Sequence, residues 1–252
     1  MWKNKKISVI LPTYNEKDSV RKVIKDFEYL GFIDEILVVN NNAVHGTSEE
    51  VFGTSAIEIF ESQQGYGAAI QKGFREASGD LLFVCEPDDT FLATDVYKFL
   101  SYIEDVDVVF GSRTVKTFIW EGANMGRFLR WGNWSVAKLM EIMYNTNSLS
   151  DVGCTYRLIT VEALSKIQKK FQVKTNFFGP EMMLLAKCER LSMIQIPVNY
   201  KDRVGESSVT GNFKKAFVLG LQMIWLILSF RFTHNYFWIK TKKKVAKPVK
   251  NQ

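Results

Sequence analysis

Two hydrophobic periodicities alternate along the first half of the chain. Residues 7–11 (ISVIL) form a short apolar run closed by Pro12. Val20, Val23, Ile24, Phe27 and Leu30 then follow helical spacing as far as Gly31. The same alternation predicts strands at 36–39, 57–60, 81–85 and 106–110, and helices at 48–52, 68–77 and 95–103. Strands separated by helices imply βαβ units and an α/β protein with a mainly parallel central sheet flanked by helices. The second half is less regular. It predicts a long helix over 123–144 containing Phe128, Trp131, Trp134 and Met140, helices near 161–169 and 180–188, and a strand near 192–196.

Polar or turn-forming residues follow the strands: PTYNE, NNNAVHGT, EPDDT and GSRT. In open α/β sheets ligands bind beyond the carboxyl ends of the strands. These four loops are therefore expected to meet at one crevice.

The apolar share of 46% is enough for a sizeable core, and it excludes a disordered or collagenous chain. Cys85, Cys154 and Cys188 lie far apart without CxxC spacing, which argues against a disulfide scaffold and suits a reducing compartment. The net charge of +6 is unevenly spread. After Glu206 there are nine Lys or Arg and no acid, which leaves a body of 24 basic and 27 acidic residues with a net of −3. A slightly acidic body with a basic tail is not the footprint of a uniformly basic nucleic-acid-binding surface, and the tail itself suits an anionic membrane or, as a lesser alternative, a nucleic acid. MWKNKKISVILPTYNE turns polar too soon for a signal peptide. The longest apolar stretch, 217–230, is broken by Gly220, Gln222 and Ser229. As a helix it reaches about 21 Å against a bilayer core of about 30 Å, so it is expected to lie at an interface or be buried.

Glu86 and Asp88 end the fourth strand as an ExD turn. Two carboxylates so placed can share one hard cation, Mg²⁺ or Mn²⁺, and leave positions open for substrate phosphates; the alternative is a solvated acidic turn. Arg113, Arg127, Arg130, Arg157 and Arg203 suit bidentate phosphate binding, although each alone is equally an ordinary surface residue. Tyr14 can stack a base and Glu16 can hold a hydroxyl or amino group. The same residues also read as a helix N-terminus with Asn15 as its cap. The GYG at 65–67 precedes a helix N-terminus. Neither GxGxxG nor a Walker A loop follows the first strand, and His45 and His234 are too few for a His-based site.

VILPTYNE, EILVVNNNAVHGT, GYGAAIQKGFREASGD, FVCEPDD, DVVFGSR, SDVGCTYRL, FFGPEMM and IPVNYKDRVGESSVTG occur in this order. Together they resemble family 2 glycosyltransferases of the GT-A fold, nearest to the dolichol-phosphate and polyprenyl-phosphate sugar synthases. The resemblance covers about 5–230 and implies a catalytic domain over 1–212, followed at 213–252 by an amphipathic membrane-interface segment and basic tail. It implies a nucleotide-sugar pocket of Pro12, Tyr14, Glu16, Asn40, Asn41 and Gly65, with a metal on Glu86 and Asp88. Arg113 would meet the donor phosphates. Arg203, in RVGESS, resembles a phosphate ligand that orders when the donor binds. Arg127 or Arg130 would face the lipid phosphate, with Arg157 also on the acceptor side, and Asp151 or Glu181 is the candidate base. Two departures stand out: Asn40 and Asn41 occupy the place of a usual Asp pair, and Cys154 occupies a place that is acidic in some relatives.

The implied activity is an inverting hexosyl transfer from a UDP- or GDP-sugar to a polyprenyl or dolichyl phosphate. It serves polysaccharide or glycoconjugate synthesis, peripherally on the cytoplasmic membrane face. The alternatives are transfer to a saccharide or glycolipid, or a weakened nucleotide-sugar-binding protein. The aromatics and lysines of 213–252 suit a headgroup boundary. They equally suit a helix packed on the core with a solvated charged end.

Overall fold

The computed structural model describes residues 1–123, 125–205 and 213–233. Seven strands form one sheet: β1 Ile7–Thr13, β2 Glu35–Asn40, β3 Ile57–Phe60, β4 Leu81–Val84, β5 Val108–Ser112, β6 Arg157–Thr160 and β7 Met193–Pro197. Their order is β3-β2-β1-β4-β6-β5-β7. β1 pairs in parallel with β2 and β4, and β5 pairs in parallel with β7. Only β6 runs antiparallel, between β4 and β5.

Helices cover both faces: α1 Lys17–Glu28, α2 Thr47–Val51, α3 Tyr66–Glu76, α4 Val96–Tyr102, α5 Arg127–Tyr144, α6 Val161–Ile167, α7 Phe178–Cys188 and α8 Phe213–Thr233. Alternate residues of one strand feed opposite cores. Ile10, Val84 and Phe110 belong to the layer under α3, α5 and α7, whereas Val9, Phe83 and Val109 belong to the layer under α1 and α4. Phe83, Phe99 and Tyr156 meet edge-on, with ring centroids about 5 Å apart in each pair.

The predicted elements of the first half are present within a few residues. The fifth strand begins at Val108 rather than at 106, because Asp107 is spent on the backbone and hydroxyl of Ser192. The long helix begins at Arg127 rather than at 123. β6 had no counterpart in the sequence pattern. Its connection to α6 is immediate, with Thr160 Oγ1 accepting from the Ala163 N–H. α8 lies on α5 and α7. Met223, Leu226, Ile227 and Phe230 enter the core, and Tyr144 donates to the Ile227 carbonyl at 2.8 Å. The other side of α8 leaves Phe217, Leu221, Trp225 and Phe232 exposed. No helix among the described residues is long and apolar enough to cross a membrane. The tail lysines from Lys240 onward, and the ESS part of the RVGESS loop, lie outside the described residues.

Candidate active site

The parallel strands β1, β2, β4 and β5 end along one edge of the sheet. Because β6 runs the other way, its first residue, Arg157, opens at that same edge. A cavity of about 560 Å³ lies there. One end is polar, with Tyr14, Glu16, Glu86, Arg113, Arg157 and Arg203 on its wall. The other runs between α5 and α8 and is lined by Leu129, Val136, Leu219, Met223 and Ile224.

The acidic corner is built around one guanidinium. Arg203 Nη2 meets Glu16 at 2.8 Å, and its Nη1 meets Asp88 at 2.9 Å and Glu86 at 3.8 Å. Asp88 is held from behind by the N–H and hydroxyl of Thr90, at 3.1 and 2.6 Å. Segment 201–204 is tied to this loop by the Lys201 N–H on the Thr90 carbonyl and the Val204 N–H on the Asp88 carbonyl. Burial and the adjacent Asp88 push the Glu86 carboxyl up to about 8. Arg203 moves the opposite way: burial opposes its charge, but Asp88, Glu86 and Glu16 outweigh it and raise its pKa. Glu86 and Asp88 thus converge on one cationic nitrogen. That is a fit for a hard divalent cation, with the remaining coordination positions left to phosphate oxygens and water. Among the described residues no three His, Cys, Asp or Glu side chains gather to hold a metal by themselves.

Arg113 forms a second, closed pair. Its Nε and Nη2 meet the Asp151 carboxylate at 2.8 and 3.0 Å, and its own N–H and that of Gly153 donate to the same carboxylate at 3.0 and 2.9 Å. A Cβ on Gly153 would stand 2.7 Å from Asn133 Oδ1 and 2.9 Å from Arg113 Nη2, so a larger residue would push both side-chain ends aside. Gln195 of β7 holds the turn from below, accepting from the Ser150 and Asp151 N–H groups. Asp151 is fully buried and does not line the cavity. Glu181 is also fully buried and accepts the N–H groups of Gln172 and Val173. Both base candidates are therefore engaged in structural hydrogen bonds away from the cavity wall.

Other predicted residues divide similarly. Pro12, Tyr14, Glu16, Asn41 and Gly65 line the cavity. Asn41 accepts the Gly65 N–H at 2.7 Å and donates to the carbonyls of Glu61 and Gln63, so it fixes the start of α3. A Cβ on Gly65, at φ +147°, would collide with the Lys174 carbonyl. Asn40 turns away: its amide donates to Glu58 and accepts from Ala43. Asn15 is not a helix cap. Glu16 instead accepts the Tyr14 and Asn15 N–H groups at 2.7 and 2.9 Å, pinning the turn that precedes α1. Arg127 and Arg130 stand on the first turn of α5, outside the cavity wall, where Phe128, Leu129 and Asn133 take their place. Arg157 is drawn inside as a buried residue. Sequence reasoning missed Tyr66, Thr155 and Tyr200 as wall residues. Tyr66 stands in the flagged GYG and Thr155 in DVGCTYR, so proximity to known motifs was the available signal.

Residues 8–168 match the family model described as glycosyl transferase family 2. The chain is 25% identical over 241 residues to a dolichyl-phosphate beta-glucosyltransferase of Trichomonas vaginalis, covering 83% of this chain and 70% of that one. It is 25% identical over 205 residues to a dolichyl-phosphate hexose transferase of Haloferax volcanii, covering 81% and 86%. In structure it is similar to glucosyl-3-phosphoglycerate synthase from Mycobacterium tuberculosis bound to uridine diphosphate. The TM-score is 0.70 at 15% identity, over 90% of this chain and 80% of that one. A complex of the same enzyme with Mn²⁺, uridine diphosphate and glucosyl-3-phosphoglycerate gives 0.68. These likenesses establish the GT-A fold.

Proposed function

The chain belongs to glycosyl transferase family 2, and from this premise we propose that it moves a hexose from a UDP- or GDP-sugar to a polyprenyl or dolichyl phosphate, with inversion. The observation that carries the acceptor is the two-ended cavity. Carboxylates and arginines at the strand ends suit a nucleoside diphosphate, and the adjoining α5–α8 cleft suits a hydrocarbon chain. The relatives that act on dolichyl phosphate point the same way.

Tyr14 and Pro12 offer the nucleoside an apolar and aromatic wall at the end of β1. Arg203 stands beside Glu86 and Asp88, the two carboxylates that would hold a divalent cation, and from there its guanidinium would be within reach of a donor diphosphate. Bound on Glu86 and Asp88, Mg²⁺ or Mn²⁺ would supply charge neutralisation for the departing nucleoside diphosphate. Arg113 is held rigid by Asp151, so its remaining N–H groups face the cavity at fixed positions. With Asp151 and Glu181 both engaged in buried hydrogen bonds, an acceptor that arrives already ionised suits the site better than a hydroxyl requiring a base. The exposed aromatics of α5 and α8 suit a headgroup layer, which supports a peripheral position on the cytoplasmic membrane face.

The test is transfer from UDP- and GDP-hexoses to a short-chain polyprenyl phosphate with Mn²⁺, followed by nucleoside diphosphate release and mass spectrometry of the lipid. A lipid-linked hexose of inverted anomeric configuration is expected. Transfer to a free saccharide instead overturns the acceptor, and donor binding without any turnover marks a weakened nucleotide-sugar-binding protein.

A further inference from the structure

Arg157 brings an uncompensated charge to the floor of the cavity. It pairs with Val84 of β4 and Phe110 of β5, so its side chain points with theirs into the layer beneath α3, α5 and α7. It is 1% exposed. Its Nη2 donates to the Cys154 carbonyl at 2.6 Å and its Nε to the Thr155 carbonyl at 3.3 Å, and its Nη1 lies 3.8 Å from the Met182 sulfur. The guanidinium also stands 5.9 Å from the centre of the Phe110 ring. All of these partners are neutral. Among the described residues no carboxylate forms an ion pair with Arg157, whereas Arg113 has Asp151 and Arg203 has three acids.

Two hydroxyls near it are also unspent. Tyr66 Oη and Thr155 Oγ1 are shut from solvent, and their one polar interaction is with each other, short of good hydrogen-bond geometry. Burial holds the Tyr66 phenol well above its ordinary range, so it remains protonated and able to donate. Tyr66 feels the charges of both Glu86 and Arg157. All three residues line the cavity. A guanidinium taken out of water without a counter-charge is costly, and two buried hydroxyls satisfied only poorly by each other add to that cost.

We propose that Arg157, Tyr66 and Thr155 form a subsite for a carboxylate on the transferred sugar, which makes the donor a nucleoside diphosphate hexuronate. The inference rests on the nucleotide-sugar transferase reading above. One guanidinium offsets one negative charge, and a carboxylate brings one. A phosphate monoester brings close to two, leaving a buried surplus beside Glu86. The two hydroxyls add donors that a planar carboxylate can accept from. A neutral hexose would leave the charge as uncompensated as it is now.

Calorimetric titration of the full chain with Mn²⁺ tests this, using UDP, UDP-glucose, UDP-glucuronate, GDP, GDP-mannose and GDP-mannuronate. With one of the two bases, the hexuronate is expected to bind about tenfold tighter than its hexose. Arg157→Gln should erase that preference while leaving the affinity for the bare nucleotide within about twofold. Tyr66→Phe and Thr155→Val change little shape, and each should cut the preference by about two- to fivefold. They carry the test if Arg157→Gln does not fold. Equal binding of hexose and hexuronate, with the bare nucleotide bound, overturns the subsite and leaves the transferase reading intact. No binding of any nucleotide or nucleotide sugar overturns both. If Arg157→Gln weakens a short polyprenyl phosphate and not the hexuronate, Arg157 belongs to the acceptor phosphate and the subsite is again overturned.

Discussion

The two halves of the chain bring opposite charges to the same cavity by different means. Up to β4 and its turn, the chain supplies acids: Glu16, Glu86 and Asp88 each stand just beyond a parallel strand. From β5 onward it supplies arginines: Arg113 beyond a parallel strand, Arg157 at the start of an antiparallel one, and Arg203 beyond β7. Neither half holds a balanced site. The acids of the first half are satisfied in this structure by an arginine of the second, at 2.8 and 2.9 Å. The arginines differ in what they have left to offer. Arg113 is paired bidentately, Arg203 is shared among three acids, and Arg157 has no acid partner among the described residues. The proposed donor site therefore exists only where the halves meet, and its unpaired charge lies on the side of the second half.

The largest break in this arrangement is at Asp88. Asp88→Asn keeps the shape and the Thr90 hydrogen bonds but removes the charge that Arg203 and a divalent cation share. It should lower kcat/KM by at least ~10³-fold, about 4 kcal/mol on the barrier. Steady-state transfer at saturating Mn²⁺ checks it. Near-wild-type rates would show that the acidic half is not the metal side of the reaction.

Asp151 separates a catalytic role from a positioning one. As the buried partner of Arg113, its replacement by Ala strands a buried guanidinium, at a cost of about 3–5 kcal/mol. Thermal unfolding should fall by roughly 6–20 °C. Were Asp151 the general base instead, stability would hold and only turnover would drop.

The first half is legible because β1, β2, β4 and β5 are buried on both faces, read as apolar runs, and end in polar clusters. The second half withheld its main element. β6 has four residues, opens on an arginine, and follows the polar stretch DVGCTY, so nothing in its pattern marks a strand. Its direction is what carries Arg157 to the cavity, and direction is set by the neighbours β4 and β5 rather than by its own residues. Asp151 posed a different problem. A carboxylate in sequence looks the same whether it faces substrate or is locked to Arg113, and only the fold brings the two together. Arg127 and Arg130 were good candidates by type, but helical phase turned Phe128 and Leu129 to the cavity instead.

A smaller effect should appear in the pH dependence of the metal-free protein. Glu86 has an ordinary carboxyl value near 4.5 when unfolded and about 8 when folded. Between those values the native state keeps a proton that the unfolded state has lost, so stability falls as pH rises through that window and levels off outside it. The full shift corresponds to about 5 kcal/mol by the one-unit conversion. With 26% of the side chain exposed, solvent takes up part of the strain, and on the order of 2 kcal/mol is expected. Melting in EDTA at pH 5.5 and pH 8 should differ by about 4–8 °C, and Glu86→Gln should flatten the slope. A slope that survives Glu86→Gln places the titrating group elsewhere.

The smallest effect on stability is expected on the apolar side of the second half, where function should still suffer. Trp131 on α5 and Trp225 on α8 are 58% and 57% exposed, although the two helices pack together and share the core through Met140, Leu226 and Ile227. Exposed side chains of that size contribute little to folding, so Trp131→Ser with Trp225→Ser should change stability by about 0.5 kcal/mol or less. If these rings rest in a headgroup layer, sedimentation with anionic vesicles should show partitioning reduced by about tenfold or more. Salt separates this contribution from that of the lysines. Binding through the rings persists as ionic strength rises toward 1 M, where the Debye length shrinks to about 3 Å, whereas binding through charge decays. Partitioning that the double variant leaves unchanged, and that salt abolishes, would assign membrane contact to the basic residues alone and leave the α5–α8 aromatics as a surface without that role.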